Sequence, residues 1–233
     1  MTEAYGMAAM RRLTVSTIAG LACWSLAASE ASAGGKPGVF DYYTLTLSWS
    51  PTWCETDGKG RREPQCEGSR PYAFVLHGLW PQYSRGWPQE CDTGAKPWVP
   101  RKVIDSVLDI MPSTGLVIHE YRKHGTCSGL EPEAYYAAAR EMFEQVRIPA
   151  RYLSPTDYVT VTPAQIEEDF LKTNPELTAD MLSISCGRER RLREVRICFS
   201  RDRKPTPCGV NEDQAKLCKL EKIVLPPVRL RSD

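Results

Sequence analysis

Alternation is the first pattern along the chain. Phe40-Asp41-Tyr42-Tyr43-Thr44-Leu45-Thr46-Leu47-Ser48-Trp49 alternates and is rich in aromatic and β-branched residues, which predicts a strand. Tyr72 to His77 (YAFVLH) predicts a second strand, stopped by Gly78. In it Phe74 and Leu76 share one face, while Val75 and His77 share the other, so His77 is expected at the strand end, facing away from that core layer. Met181 to Cys186 and Glu194 to Ser200 predict two more strands. Val103, Ile104, Val107 and Leu108 recur at helical spacing, predicting a helix over 103–111. Residues 131–146 (EPEAYYAAAREMFEQV) predict a strong helix with Pro132 near its start. Thr162-Pro163-Ala164-Gln165 opens another, running to about Lys172 with Thr162 as N-cap. Residues 55–71 and 82–98 read as loops. Strands and helices do not alternate regularly, so the expected class is α+β with a central antiparallel sheet flanked by helices.

Composition changes the picture at one end. The chain has 233 residues, enough for one domain with a real core, and 42% hydrophobic with 25% charged content excludes the disordered and membrane classes. The exception is the N-terminus. Arg11 and Arg12 precede a short apolar run, and Ala31-Ser32-Ala33 follows it, the pattern of a secretory signal peptide over residues 1–33. Residues 34–233 are then expected to form a single domain, periplasmic or secreted, off the membrane and monomeric. Removal of the signal takes away Cys23 and leaves eight of the nine cysteines, an even number suited to four disulfides. Spacing alone leaves about 105 pairings open. No C-x-x-C pair occurs, which argues against a zinc ribbon. Net charge is +1, but residues 186–233 carry 13 Lys or Arg against 7 Asp or Glu, a basic region able to attract phosphates.

Histidine carries the candidate chemistry. The chain has three, and two lie in His119-Glu120-Tyr121-Arg122-Lys123-His124-Gly125-Thr126-Cys127. The segment begins like a zinc-binding H-E-x-x-H, yet its histidines are five apart rather than four. On a regular helix five steps rotate by about 140°, so the rings would diverge, and Lys123 adds a positive charge where a cation would sit. Proton transfer fits better. Glu120 and His124 are four apart, as are His119 and Lys123, which places them on adjacent arcs of one helical face. A carboxylate beside His124 is expected to raise its pKa and orient its ring. The third histidine, His77 in Phe74-Val75-Leu76-His77-Gly78-Leu79-Trp80-Pro81, supplies a second proton-transfer group.

Those two segments, FVLHGLWP and HEYRKHGTC, resemble the two signature segments of the ribonuclease T2 family. The resemblance extends from about residue 39 to 220. It implies an exported, metal-independent endoribonuclease with no cofactor and RNA as its partner. Such an enzyme moves the 2′-OH of RNA onto the adjacent phosphorus, giving a 2′,3′-cyclic phosphate and then a 3′-phosphate. By position it implies His124 as general base, His77 as general acid, Glu120 and Lys123 as stabilisers of the transition state, and His119 as phosphate ligand. It also implies the disulfides Cys91–Cys127, Cys186–Cys218 and Cys198–Cys208, leaving Cys54 with Cys66. Tyr121 stands where the family usually has Trp, Ser48 where many relatives have Gln, and Gln82 where fungal relatives have Asp. Trp80, Tyr83 and Trp87 are candidate base-stacking residues, and weak base preference is the expectation. A catalytically silent RNA-binding or signalling relative is the rival reading; loss of a key histidine would favour it, and none is lost.

Overall fold

The computed structural model describes residues 34–68 and 70–229; the expected signal segment lies outside the described residues. Six strands are formed: β1 (Tyr42–Trp49), β2 (Phe74–Gln82), β3 (Val159–Val161), β4 (Leu182–Cys186), β5 (Leu192–Ser200) and β6 (Ile223–Leu225). Four of them make an antiparallel sheet in the order β2-β1-β5-β4, and β3 pairs with β6 in a small second sheet. With its flanking helices this is the expected α+β arrangement.

The sheet has one apolar face, and simple alternation builds it. Tyr43, Leu45, Leu47 and Trp49 of β1 stand opposite Pro81, Leu79, Leu76 and Phe74 of β2. Val195 and Ile197 of β5 and Leu182 and Ile184 of β4 extend the same layer. The helix Pro132–Gln145 contributes the buried Tyr135, Tyr136, Ala138, Ala139 and Met142, and Tyr135 donates its hydroxyl to Leu79 O at 2.7 Å. The helix Pro163–Thr173 buries Ile166 and Phe170 and starts with the expected cap, in which Thr162 and Gln165 satisfy each other's backbone amides.

The opposite face carries Thr44, Thr46 and Ser48 of β1, Glu194 and Arg196 of β5, and Ser183 and Ser185 of β4. It too is covered. Glu212 accepts hydrogen bonds from the Tyr42 and Thr44 hydroxyls, and the side-chain amide of Gln214 pairs with the backbone N–H and C=O of Ile184 on the edge strand β4.

Two expectations shift. The strand through His77 does not stop at Gly78 but runs on to Gln82. The helix expected over 103–111 spans only Arg101–Asp105, because the Ser106 hydroxyl bonds Val103 O and competes with the helical ladder. Leu116-Val117-Ile118 lies inside the helix Thr114–Glu120, capped by Ser113. All four expected disulfides are formed: Cys54–Cys66, Cys91–Cys127, Cys186–Cys218 and Cys198–Cys208.

Candidate active site

The site is built around an irregularity in β2. Thr46 pairs with Gly78 but the next residue, Leu47, pairs with Leu76, so His77 is an extra residue with no partner in the β1 ladder. This is a β-bulge, a device that re-aims side chains beside functional sites. Leu76 and Leu79 both face the core, although they are three apart. His77 and Trp80, also three apart, both face the cleft, with ring centroids 5.2 Å from each other. His77 is thus mid-strand, not at a strand end. Gly78 is needed because the Glu120 carboxylate and the Trp80 indole nitrogen press against it; a Cβ there would collide with both.

The second motif is held against β2. The helix Thr114–Glu120 passes into a π-helical turn over Tyr121–Gly125 and then a short α-turn at Thr126–Ser128. A π-turn holds more residues per turn than an α-helix, so the residues after Glu120 no longer follow α-helical spacing; such turns recur at functional sites. Tyr121 packs edge-on against Tyr135 and donates its hydroxyl to Leu130 O at 3.0 Å. Its ring also accounts for Gly125, where a Cβ would strike it. Cys127, bonded to Cys91, and the Glu90 N–H, donated to Lys123 O at 2.7 Å, tie the end of the motif to the loop after β2.

Trp80 lies between the two histidines. Its ring is tilted 30° against His124 at a centroid distance of 5.2 Å, and its indole N–H donates to Glu120 Oε2 at 2.7 Å. Glu120 Oε1 lies 3.7 Å from His77 Nε2. Glu120 therefore sits with His77 and Trp80, not with His124 as the helical spacing predicts, because the chain has left α-geometry before His124. Burial holds the Glu120 carboxyl above its ordinary value, against the pull of His77, the Trp80 hydrogen bond, His119 and Lys123.

The two histidines are driven apart. His124 is only 7% exposed, and its Nδ1 has no hydrogen-bond partner. Burial, with the nearby Lys123, His77 and His119, pushes its pKa down to about 3, the reverse of the expected rise. Burial also works against charge on His77, but a 2.9 Å hydrogen bond from Nδ1 to Glu194 and the charges of Glu120 and Glu194 outweigh it and raise the pKa. At neutral pH His124 is neutral, while the surroundings of His77 favour its protonated form.

The structure brings His77, Glu120, Trp80 and His124 together. His77 and His119 line one cavity of about 300 Å³, with Ser48, Trp53, Arg61 and Val75 also on its wall. Lys123 is half-buried and acts electrostatically on both Glu120 and His124. The three base-stacking candidates are not gathered. Trp80 is committed to Glu120 and the histidines, Tyr83 is partly packed against the core, and Trp87 is 55% exposed; neither of the latter two lines the cavity. Gln82 is buried and accepts from Asn211 at 3.0 Å.

Sequence reasoning missed Glu194 and Arg196. Glu194 is fully buried, hydrogen-bonds His77, and accepts from Arg196 at 2.8 and 3.1 Å. In the sequence Glu194 and Arg196 alternate with Val195 and Ile197 and read as the solvated side of the strand, so no local signal marks them.

The ribonuclease T2 family profile matches residues 40–208. The chain belongs to the ribonuclease T2 family. Among curated relatives, a ribonuclease of Aeromonas hydrophila is 40% identical over 136 residues, 56% of this chain and 57% of the relative. A probable ribonuclease of Haemophilus influenzae is 34% identical over 126 residues, 49% of this chain and 46% of the relative. The chain thus spans about half the length of these relatives. The T2 fold itself is shared with an RNase-related protein from Calystegia sepium, at a TM-score of 0.63 and 20% identity, covering 84% of this chain and all of that one.

Proposed function

We propose that the chain is a metal-independent endoribonuclease that cleaves single-stranded RNA with low base specificity. The observation that carries this reading is the pair of histidines with opposite pKa displacements on either side of Trp80. Neutral His124 takes the proton from the 2′-OH as O2′ attacks phosphorus. Protonated His77 gives its proton to the departing 5′-oxygen, so the first step ends with a 2′,3′-cyclic phosphate and the proton states exchanged. Water then enters by the reverse path, with His77 as base and His124 as acid, leaving a 3′-phosphate. Glu120, Lys123 and His119 surround the phosphoryl group and stabilise its developing charge. DNA, without a 2′-OH, would bind without being cut.

The state of the candidate base-contacting positions supports low base specificity. Trp80 is occupied by Glu120, Gln82 is held by Asn211, and Trp87 stands free at the surface. Four disulfides and the basic, apolar, small-residue pattern at residues 1–33 support export, with residues 34–233 as the catalytic domain. No helix among the described residues is long and apolar enough to cross a membrane.

Single-stranded RNA incubated with the protein in excess EDTA is expected to yield fragments ending in 2′,3′-cyclic phosphate. Absence of cleavage would overturn the catalytic reading in favour of an RNA-binding one. Cleavage that appears only with added metal would overturn the metal-independent mechanism.

A further inference from the structure

His77 does not stand alone on its strand. Its Nδ1 is 2.9 Å from Glu194 Oε1, on β5, two strands away and 117 residues distant in sequence. The other oxygen of Glu194 is taken by Arg196, at 2.8 Å from one terminal nitrogen and 3.1 Å from Nε. The Arg196 guanidinium lies over the Trp80 ring, 5.1 Å from its centroid. Trp80 donates to Glu120, and Glu120 returns to His77 Nε2 at 3.7 Å. The five side chains close a ring: His77, Glu194, Arg196, Trp80, Glu120.

We propose that Glu194 is a positioning residue for the cleavage reaction, fixing His77 so that Nε2 is the atom that exchanges the proton with substrate. This rests on the ribonuclease reading above. The chemistry is that of a carboxylate behind an imidazole. An ionised carboxylate only accepts, so the ring nitrogen facing it must carry a hydrogen. That assigns the fixed hydrogen to Nδ1 and leaves Nε2, on the Glu120 side, as the nitrogen that gains and loses the catalytic proton. His77 first, then Arg196 and Arg193, keep Glu194 ionised despite complete burial, and its pKa is pushed down to about 2. Arg196 thereby has two tasks: it holds Glu194 charged and it backs the Trp80 ring that presents Glu120. The charged groups facing His77 are Glu194 and Arg193 on β5 and Glu120 on the motif helix; His77 in turn acts on His124 across Trp80, and His119, Arg61 and Glu63 share its cavity. Of these only Glu194 makes a hydrogen bond to the ring.

Glu194→Gln tests this. The amide oxygen can still accept from Nδ1, so ring geometry survives while the charge is lost. Three histidines make ring titration by NMR simple to assign, with His77→Phe marking the His77 signal. The expected result is a fall in the His77 midpoint by about one pH unit or more. The alkaline limb of the kcat–pH profile should shift downward by the same amount, with KM unchanged. An unmoved His77 midpoint, or a kcat loss equal at every pH, would overturn the proposal and leave Glu194 a structural residue. If the single variant does not fold, Glu194→Gln/Arg196→Gln, which leaves no orphaned cation, carries the same comparison. The NMR midpoint is read without turnover, so failure of the ribonuclease reading and failure of this one are separable.

Discussion

The two faces of the four-stranded sheet are both buried, yet they are made of opposite materials. One is a layer of Leu45, Leu47, Leu79, Val195 and Ile197 against helices. The other is a layer of Thr44, Thr46, Ser183, Ser185 and Glu194 under the segment that carries Glu212 and Gln214. The first gains free energy from every methyl it hides. The second must find a hydrogen bond for each polar group or bear its desolvation. Thr46 Oγ1 and Ser183 Oγ are left without a partner. The lesson is a division of labour along single strands. Alternate residues of β1, β2 and β5 either hold the fold or face the acid–base pair, and few do both.

That division can be broken from either side. The largest effect should come from the chemical side: His77→Phe and His124→Phe are each expected to lower RNA cleavage by about 10²–10⁴-fold, with little change in melting temperature. Activity retained in either variant would end the assignment of roles. From the apolar side, Leu47→Ala should cost about 2–5 kcal/mol in urea unfolding, while activity per folded molecule stays near that of the parent. A large activity loss in the folded fraction would show that the two faces are coupled. The smallest effect concerns pH. His124 stays neutral in the fold down to about 3, whereas the unfolded residue protonates near its ordinary value of 6.5. Its stabilising contribution is present above pH 6.5 and is lost as pH falls toward 3. Glu194, displaced from 4.5 to about 2, adds an acid-side loss over that lower range. Melting temperature should therefore decline below pH 6.5, and His124→Phe should decline less between 6.5 and 4.5. Parallel curves would remove His124 as the cause.

Much of this was legible in the sequence, for physical reasons. Alternation in Phe40–Trp49 reads directly as one strand with an apolar and a polar side. The two histidine segments are contiguous, so their chemistry shows without a fold. The disulfide partners were open by spacing and became legible only through the family resemblance. What stayed hidden was long-range or conformational. Glu194 is adjacent to His77 only after β5 has paired with β1, a contact no local pattern encodes. The bulge at His77 has no local signature beyond Gly78, which reads equally well as a strand stop. The π-turn over Tyr121–Gly125 follows an ordinary α-helical sequence, so α-spacing placed Glu120 beside His124. Once the turn widens, Glu120 is left to His77 and Trp80. The direction of the His124 displacement depends on how completely the ring is covered, which is a property of the packed state.

The bulge at His77 behaves like a shifted reading frame. Upstream, even-numbered Phe74 and Leu76 point into the core; downstream, odd-numbered Leu79 and Pro81 do. Flattening the bulge with every residue kept would restore strict alternation and swap every downstream side chain to the wrong side, turning Trp80 inward and Leu79 toward the cleft. With the extra residue present, the bulge is what keeps Leu79 and Trp80 on their proper sides.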